Sequence, residues 1–216
     1  MNYTLSLILF TLIFSPLQAK DFTTLNLPLT QEMKENQSTA TTCTSPALAK
    51  KKLPEKFRYG CFCGQNYPLI EDSSSKSYKK LSHDQKEHLI AQYYKITPYD
   101  SIDKACMLHD ICYITKGENT QMCNDALYSN LIEIKKAFKK ASKDKGRKSK
   151  ERRCKNLSSD MASIFKTIFT AGTDTPLPRI GAFLFNTPIT LTSKLIHNSH
   201  YPLQGEACRL EDLTKK

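Results

Sequence analysis

Between positions 81 and 141 apolar residues recur at helical spacing, and three helices follow from the pattern. The first spans about 82–95, where Leu81, Leu89, Tyr93 and Ile96 form a rough stripe. Ser82 with Gln85 three residues on is a capping box at its start. The second is expected over 98–115, because proline suits the opening positions of a helix and acidic groups suit its positive end. Gly117 after Lys116 is its expected C-terminal cap. The third is expected over 120–141, with Leu127, Leu131, Ile134 and Phe138 as its core-facing row.

The flanks are different. Residues 20–56 are rich in Thr, Ser, Lys and Pro and read as an irregular N-terminal arm tied down by Cys43. Residues 57–68 read as a turn-rich loop, and 71–80, centred on Ser73, Ser74 and Ser75, as a polar connection. Residues 57–155 make the expected core. Residues 156–216 hold apolar runs at 164–170 and 180–185, broken by Pro176, Pro178 and Pro188, and form an extension of unknown role. At the other end, positions 5–14 are apolar apart from Ser6 and Thr11 and lead through Pro16 to Ala19, so 1–19 is expected to be a signal peptide cut after Ala19. An anchor helix needs about 20 continuous apolar residues, and Pro16, Gln18 and Lys20 interrupt the run.

With 216 residues, 39% apolar and 25% charged, the chain fits one or two globular domains, and collagen-like, coiled-coil and wholly disordered classes are excluded. The net charge of +11 is concentrated in 135–155, which carries twelve basic and two acidic residues. That segment reads either as attracted to anionic lipid, at about 1 kcal/mol per basic residue, or as a solvated helix end and loop. A nucleic-acid partner is not expected, since only Phe138 interleaves with the charges and the chain is exported.

The eight cysteines fall outside the expected signal peptide, and an even count in an exported chain predicts disulfides. Cys61-Phe62-Cys63 is C-x-C, with no second pair at ligand spacing, which argues against zinc. His83 and His88 are five apart rather than four, which argues against a metalloprotease helix. Asn36-Gln-Ser and Asn156-Leu-Ser match the glycosylation pattern.

Candidate chemistry centres on the second helix. At about 100° per residue, with His109 at zero, Tyr113 falls near +40°, Cys106 near +60° and Asp110 near +100°. An imidazole, a phenol and a carboxylate thus share one arc. His109 and Asp110 face two neighbouring roles, one basic and one cation-binding. Counting equal steps from a turn at Gly117 brings Asp125 level with His109, so Asp125 is expected to fix the tautomer of the ring and stabilise its cation. A hard cation needs oxygens, several of them from backbone. The stretch 59–66, with Gly60 and Gly64 for tight curvature, would supply them if Cys63 is stapled to Cys106, beside Asp110.

These residues resemble the secreted, calcium-dependent phospholipase A2 family. Its signatures are a Y-G-C-x-C-G calcium loop and a D-x-C-C-x-x-H-D-x-C-Y helix. Tyr59-Gly60-Cys61-Phe62-Cys63-Gly64 meets the first, and Asp103, Cys106, His109, Asp110, Cys112 and Tyr113 meet the second, with Ala105 in place of one cysteine. The match covers 57–67 and 97–130.

The resemblance implies a mainly α, disulfide-stapled fold, with an antiparallel catalytic helix pair and a preceding calcium-binding loop. It implies a phospholipid membrane surface as partner, anionic in view of the basic segment. His109 would be the general base on a water attacking the sn-2 ester, with Asp125 orienting it and Tyr113 hydrogen-bonding Asp125. Ca2+ would be held by Asp110 and the carbonyls of Phe62, Gly64 and Asn66, and the Gly64 amide would meet the oxyanion. The products would be a lysophospholipid and a fatty acid.

The chain departs from the family in four ways. Gln65-Asn66-Tyr67-Pro68 stands where more glycines are usual, and the helix at 82–95 is extra. The interval between His109 and Asp125 is short, resembling compact plant and viral variants, and the stretch after 156 has no counterpart. Cys112–Cys123 would close the helix pair. On an ideal helix, however, Cys123 points about 160° away from Asp125, so either the third helix begins after Cys123 or that bond is not made. Cys43, Cys61, Cys154 and Cys208 are left with three possible pairings. The alternatives are a non-catalytic protein that keeps the scaffold to bind membrane or receptor, and a cationic antimicrobial protein acting by charge alone.

Overall fold

A computed structural model describes residues 28–43, 58–64, 78–118, 120–145, 149–170, 202 and 205–214. The expected signal peptide, the connection around Ser74, Asn66, and the proline-broken stretch after 170 lie outside the described residues.

The chain is mainly helical and stapled by four disulfides: Cys43–Cys61, Cys63–Cys106, Cys112–Cys123 and Cys154–Cys208. Five α-helices are described: α1 Gln31–Ser38, α2 His83–Tyr93, α3 Ser101–Lys116, α4 Gln121–Lys145 and α5 Lys150–Thr170. Four two-residue strands accompany them. Strands β1 Thr41–Thr42 and β4 Ile96–Thr97 pair in parallel, and β2 Arg58–Tyr59 and β3 Cys63–Gly64 pair antiparallel, with Tyr59 opposite Cys63.

Local signals explain most boundaries. Ser82 and Gln85 make both bonds of the capping box at the start of α2. Gly117, at φ 104°, closes α3. The start of α3 is later than the proline suggests: Thr97 is engaged by Thr42, Pro98 stays outside the helix, and Asp100 is the cap. The arm at 20–56 is not wholly irregular, since α1 begins with Thr30 capping Met33 and docks on α2 through Asn36 Nδ2 donating to the Ala91 carbonyl at 2.8 Å.

Helix α5 is hidden in the sequence by charge. Cys154, Leu157, Ser158, Met161 and Ala162 are buried at helical spacing, while Lys150, Arg152, Arg153 and Lys155 crowd the first turns of the helix. This face packs along α4 against Leu127, Leu131, Ile134 and Phe138, which with Ile102, Ile111 and Ile114 form the centre of the core. The boundary expected at 155/156 falls within α5. The far end of the chain returns to the same body through Cys154–Cys208.

The 59–64 loop is fixed from beneath by Asp103, which has no exposed surface. Its carboxylate accepts from the backbone N–H of Cys61 at 3.0 Å, Phe62 at 2.8 Å and Tyr99 at 2.9 Å. Gly60 has φ +62°, and a Cβ there would lie 2.1 Å from Asp103 Cγ. Gly60→Ala is therefore expected to cost about 2–4 kcal/mol, combining a left-handed backbone with a clash against a tethered carboxylate. Denaturant unfolding reads this directly; an unchanged midpoint would show that Asp103 does not hold the loop.

Candidate functional site

His109 lies on the inner face of α3 and is 8% exposed. Its Nε2 is 3.0 Å from Asn124 Oδ1, and the Tyr113 hydroxyl donates to the same oxygen. The Tyr113 ring packs on the imidazole, with centroids 4.2 Å apart. Burial pushes the Tyr113 phenol up to about 12, so it remains a donor at neutral pH. An amide oxygen only accepts, so the tautomer that makes this bond carries its proton on Nε2. The lone pair is then on Nδ1, which is 3.8 Å from Asp110 Oδ1.

The expected partner of His109 is corrected. Asp125 is exposed and accepts from Gln121 Nε2 at 2.8 Å. Helix α4 begins at Gln121 and Cys123 does bond Cys112, so the side chain about 100° further round, Asn124, faces His109, while Asp125 turns away. The conflict between Cys123 and Asp125 is thereby resolved: the bond is made, the helix begins before Cys123, and Asp125 is the residue that does not belong. A signal for Asn124 is present in the sequence: the row Leu127, Leu131, Ile134, Phe138 continues back three residues to position 124, not 125. The hydrogen bond expected from Tyr113 to Asp125 goes to Asn124 for the same reason.

Asp110 is next on α3. Its side chain is 22% exposed, but Oδ2 is buried with no hydrogen-bond partner among the described residues. An orphaned carboxylate oxygen is costly and suits a cation. Burial pushes Asp110 up to about 6, and His109 holds it down only in part. Two phenols that sequence reasoning missed, Tyr78 and Tyr93, interact with each other and feel the Asp110 charge; burial first, then Asp110, raises both.

The 59–64 loop meets α3 one turn before His109 through Cys63–Cys106, with Cα atoms 5.1 Å apart. Gly64, at φ 150°, ends β3, and Phe62 is 1% exposed with its ring stacked on Tyr93 at 5.8 Å. Of the expected ligand set, Phe62, Gly64 and Asp110 are thus on joined elements, while Asn66 is outside the described residues. Cys43, Cys61 and Asp103 also cluster as potential ligands, but the two sulfurs bond each other and Asp103 is taken by backbone N–H groups. That cluster is structural.

The raised Asp110 sets a pH dependence. Its folded value, about 6, exceeds the ordinary carboxylate value of the unfolded chain, 3.8. Its contribution to stability is therefore fully present below about pH 4 and lost as pH rises through about 6 when no cation is bound. Metal-free protein is expected to lose on the order of 2 kcal/mol from this group between pH 4 and 7. Thermal melts in chelator across that range check it. Asp110→Asn should flatten the slope, and an identical profile in the variant would remove this carboxylate as the cause.

Comparison of the chain with protein-family models, with characterised proteins and with solved structures finds no match.

Proposed function

We propose that the protein is a secreted, calcium-dependent phospholipase A2 that hydrolyses the sn-2 ester of glycerophospholipids. The observation that carries this is the pairing of a held imidazole with an orphaned carboxylate oxygen on the next residue. The loop stapled beside them by Cys63–Cys106 supports it. Four disulfides, with no described helix long and apolar enough to cross a membrane, support an exported protein.

In this reading α3 and α4 are the antiparallel catalytic pair. Asp110 and the carbonyls of Phe62, Gly64 and Asn66 would hold calcium, which when bound supplies positive charge to the phosphate and to the ester carbonyl. His109 takes a proton from water at Nδ1 as the water oxygen bonds to the sn-2 carbonyl carbon. The Gly64 N–H meets the oxyanion. The proton then passes from His109 to the leaving alkoxide, giving lysophospholipid and fatty acid. Asn124 and Tyr113 keep the ring in the tautomer that leaves Nδ1 basic. Lys135, Lys139 and Lys143 recur every fourth residue on α4, with no ion pair to them among the described residues, and would face anionic lipid.

A second reading, a non-catalytic binding protein on the same scaffold, is favoured by one feature: Asn124 is neutral and brings no charge to an imidazolium. Fatty-acid release from mixed-chain phosphatidylcholine vesicles, with and without phosphatidylglycerol and with and without chelator, separates the readings. Calcium-dependent sn-2 release, faster on the anionic vesicles and less so for Lys139→Glu/Lys143→Glu, is expected. No release by the wild-type chain together with release by Asn124→Asp would favour the binding protein; no release by either would end the phospholipase reading.

A further inference from the structure

We infer that the C-terminal segment 205–214 is a positioning clamp for the candidate site: it completes the cap of the His109 helix and, through Asp100, steadies the first residue of the 59–64 loop. The segment lies far away in sequence. Even so, its backbone makes a set of bonds to the start of α3. Cys208 N donates to Asp100 Oδ2 at 2.8 Å, Ser101 N donates to the Cys208 carbonyl at 3.2 Å, and Leu210 N donates to Ser101 Oγ at 2.9 Å. Asp100, Ser101 and Cys208 are 5%, 6% and 0% exposed.

A helix start leaves four backbone N–H groups to be satisfied. Here Ile102 N and Asp103 N go to Asp100 Oδ1, at 2.9 and 3.0 Å, and the regular ladder begins with Lys104 N on the Asp100 carbonyl at 2.9 Å. Ser101 N has no local acceptor in this set; the returning segment supplies it. The same Asp100 Oδ2 that accepts from Cys208 also accepts the Tyr59 hydroxyl. Burial, reinforced by the Asp100 charge, raises the Tyr59 phenol well above its ordinary value, so it stays a donor. One carboxylate therefore joins three parts: the cap of α3, the root of the loop, and the end of the chain.

The segment is held there from the other side by α5. On that helix Lys150 is followed one turn later by Arg153 and Cys154. They engage Asp212 at 3.1 Å, Glu206 through a two-point guanidinium contact, and Cys208 through the disulfide. Withdrawing the far end of the chain would leave Ser101 N without its acceptor and Asp100 with one donor fewer. The loop would then keep Asp103, its two disulfides and a Tyr59 bond to an Asp100 that has lost its Cys208 donor. The functional weight of the clamp rests on the phospholipase reading; the clamp itself does not.

The test compares the full-length chain with Cys154→Ala/Cys208→Ala, with Tyr59→Phe, and with all three changes. Two readouts are used. In metal-free protein, amide hydrogen exchange at Cys61 and Phe62 should rise about tenfold in the paired cysteine variant, while Leu131 and Ile134 in α4 keep their protection. Calcium affinity by equilibrium dialysis should weaken by about tenfold. Tyr59→Phe should add little once the cysteines are gone, because both act through Asp100.

Unchanged loop exchange, or fully additive effects of the two changes, would overturn the clamp. If the paired cysteine variant does not fold, Glu206→Ala/Asp212→Ala loosens the segment with the disulfide kept; loop exchange must still rise, and if it does not the inference fails. A wild-type chain that binds no calcium would sink the phospholipase reading, while the exchange measurement would still decide the clamp.

Discussion

His109→Gln is expected to lower calcium-dependent sn-2 hydrolysis by about three orders of magnitude and to leave the fold in place. Glutamine is close to histidine in reach and can still donate an amide N–H to Asn124 Oδ1, so the contact between α3 and α4 survives. What it lacks is a basic lone pair near the position of Nδ1, 3.8 Å from Asp110. The surrounding order is set elsewhere, by Cys112–Cys123 and by Ile111, Ile114 and Leu127, each 2% exposed or less. Turnover and thermal midpoint measured on the same preparation check this. More than a tenth of the wild-type rate at an unchanged midpoint would show that the imidazole is not the base.

Asp110→Asn is expected to weaken calcium binding by more than about a hundredfold, since it removes the one charged ligand from a site otherwise made of neutral oxygens. It carries a second signature of opposite sign. In chelator above pH 6 the variant should be the more stable protein, because the wild type keeps an ionised carboxylate whose Oδ2 finds no donor among the described residues. In excess calcium the order should reverse, because only the wild type gains binding free energy. Melts under the two conditions give the crossing. If the variant is less stable under both, the carboxylate is part of the packing rather than a cation ligand.

The parts of this structure that are legible in the sequence are those set by local chemistry. The Ser82 capping box, the Gly117 stop and the row from Leu127 to Phe138 each depend on residues within a turn or two, and each is found where the pattern puts it. The Cys63–Cys106 staple is found as the resemblance implies, though the spacing of the cysteines alone does not select it. Asp125 misleads because counting outward from a turn assumes a symmetric hairpin. Here the entry to α4 is set by Thr120, whose carbonyl accepts from Cys123 N and whose hydroxyl donates to the Gly117 carbonyl, and the level position becomes 124. Helix α5 escapes the pattern because Lys150, Arg152, Arg153 and Lys155 crowd its first turns and swamp the apolar signal. The return of Cys208 to Asp100 cannot be read from any local pattern, since its partners are 108 positions apart.

The hairpin that carries Cys61 and Cys63 has one consequence for making the protein. Its two sulfurs, only two positions apart, go to different segments, Cys61 to Cys43 and Cys63 to Cys106. Exchanging those partners would keep every thiol oxidised and the molecular mass identical, yet would tie the loop to the wrong segments. Oxidative refolding can therefore yield an isomer that passes mass spectrometry and thiol titration with its 59–64 loop out of place. Peptide mapping that separates position 61 from position 63 is the quality control to run before any inactive preparation is interpreted.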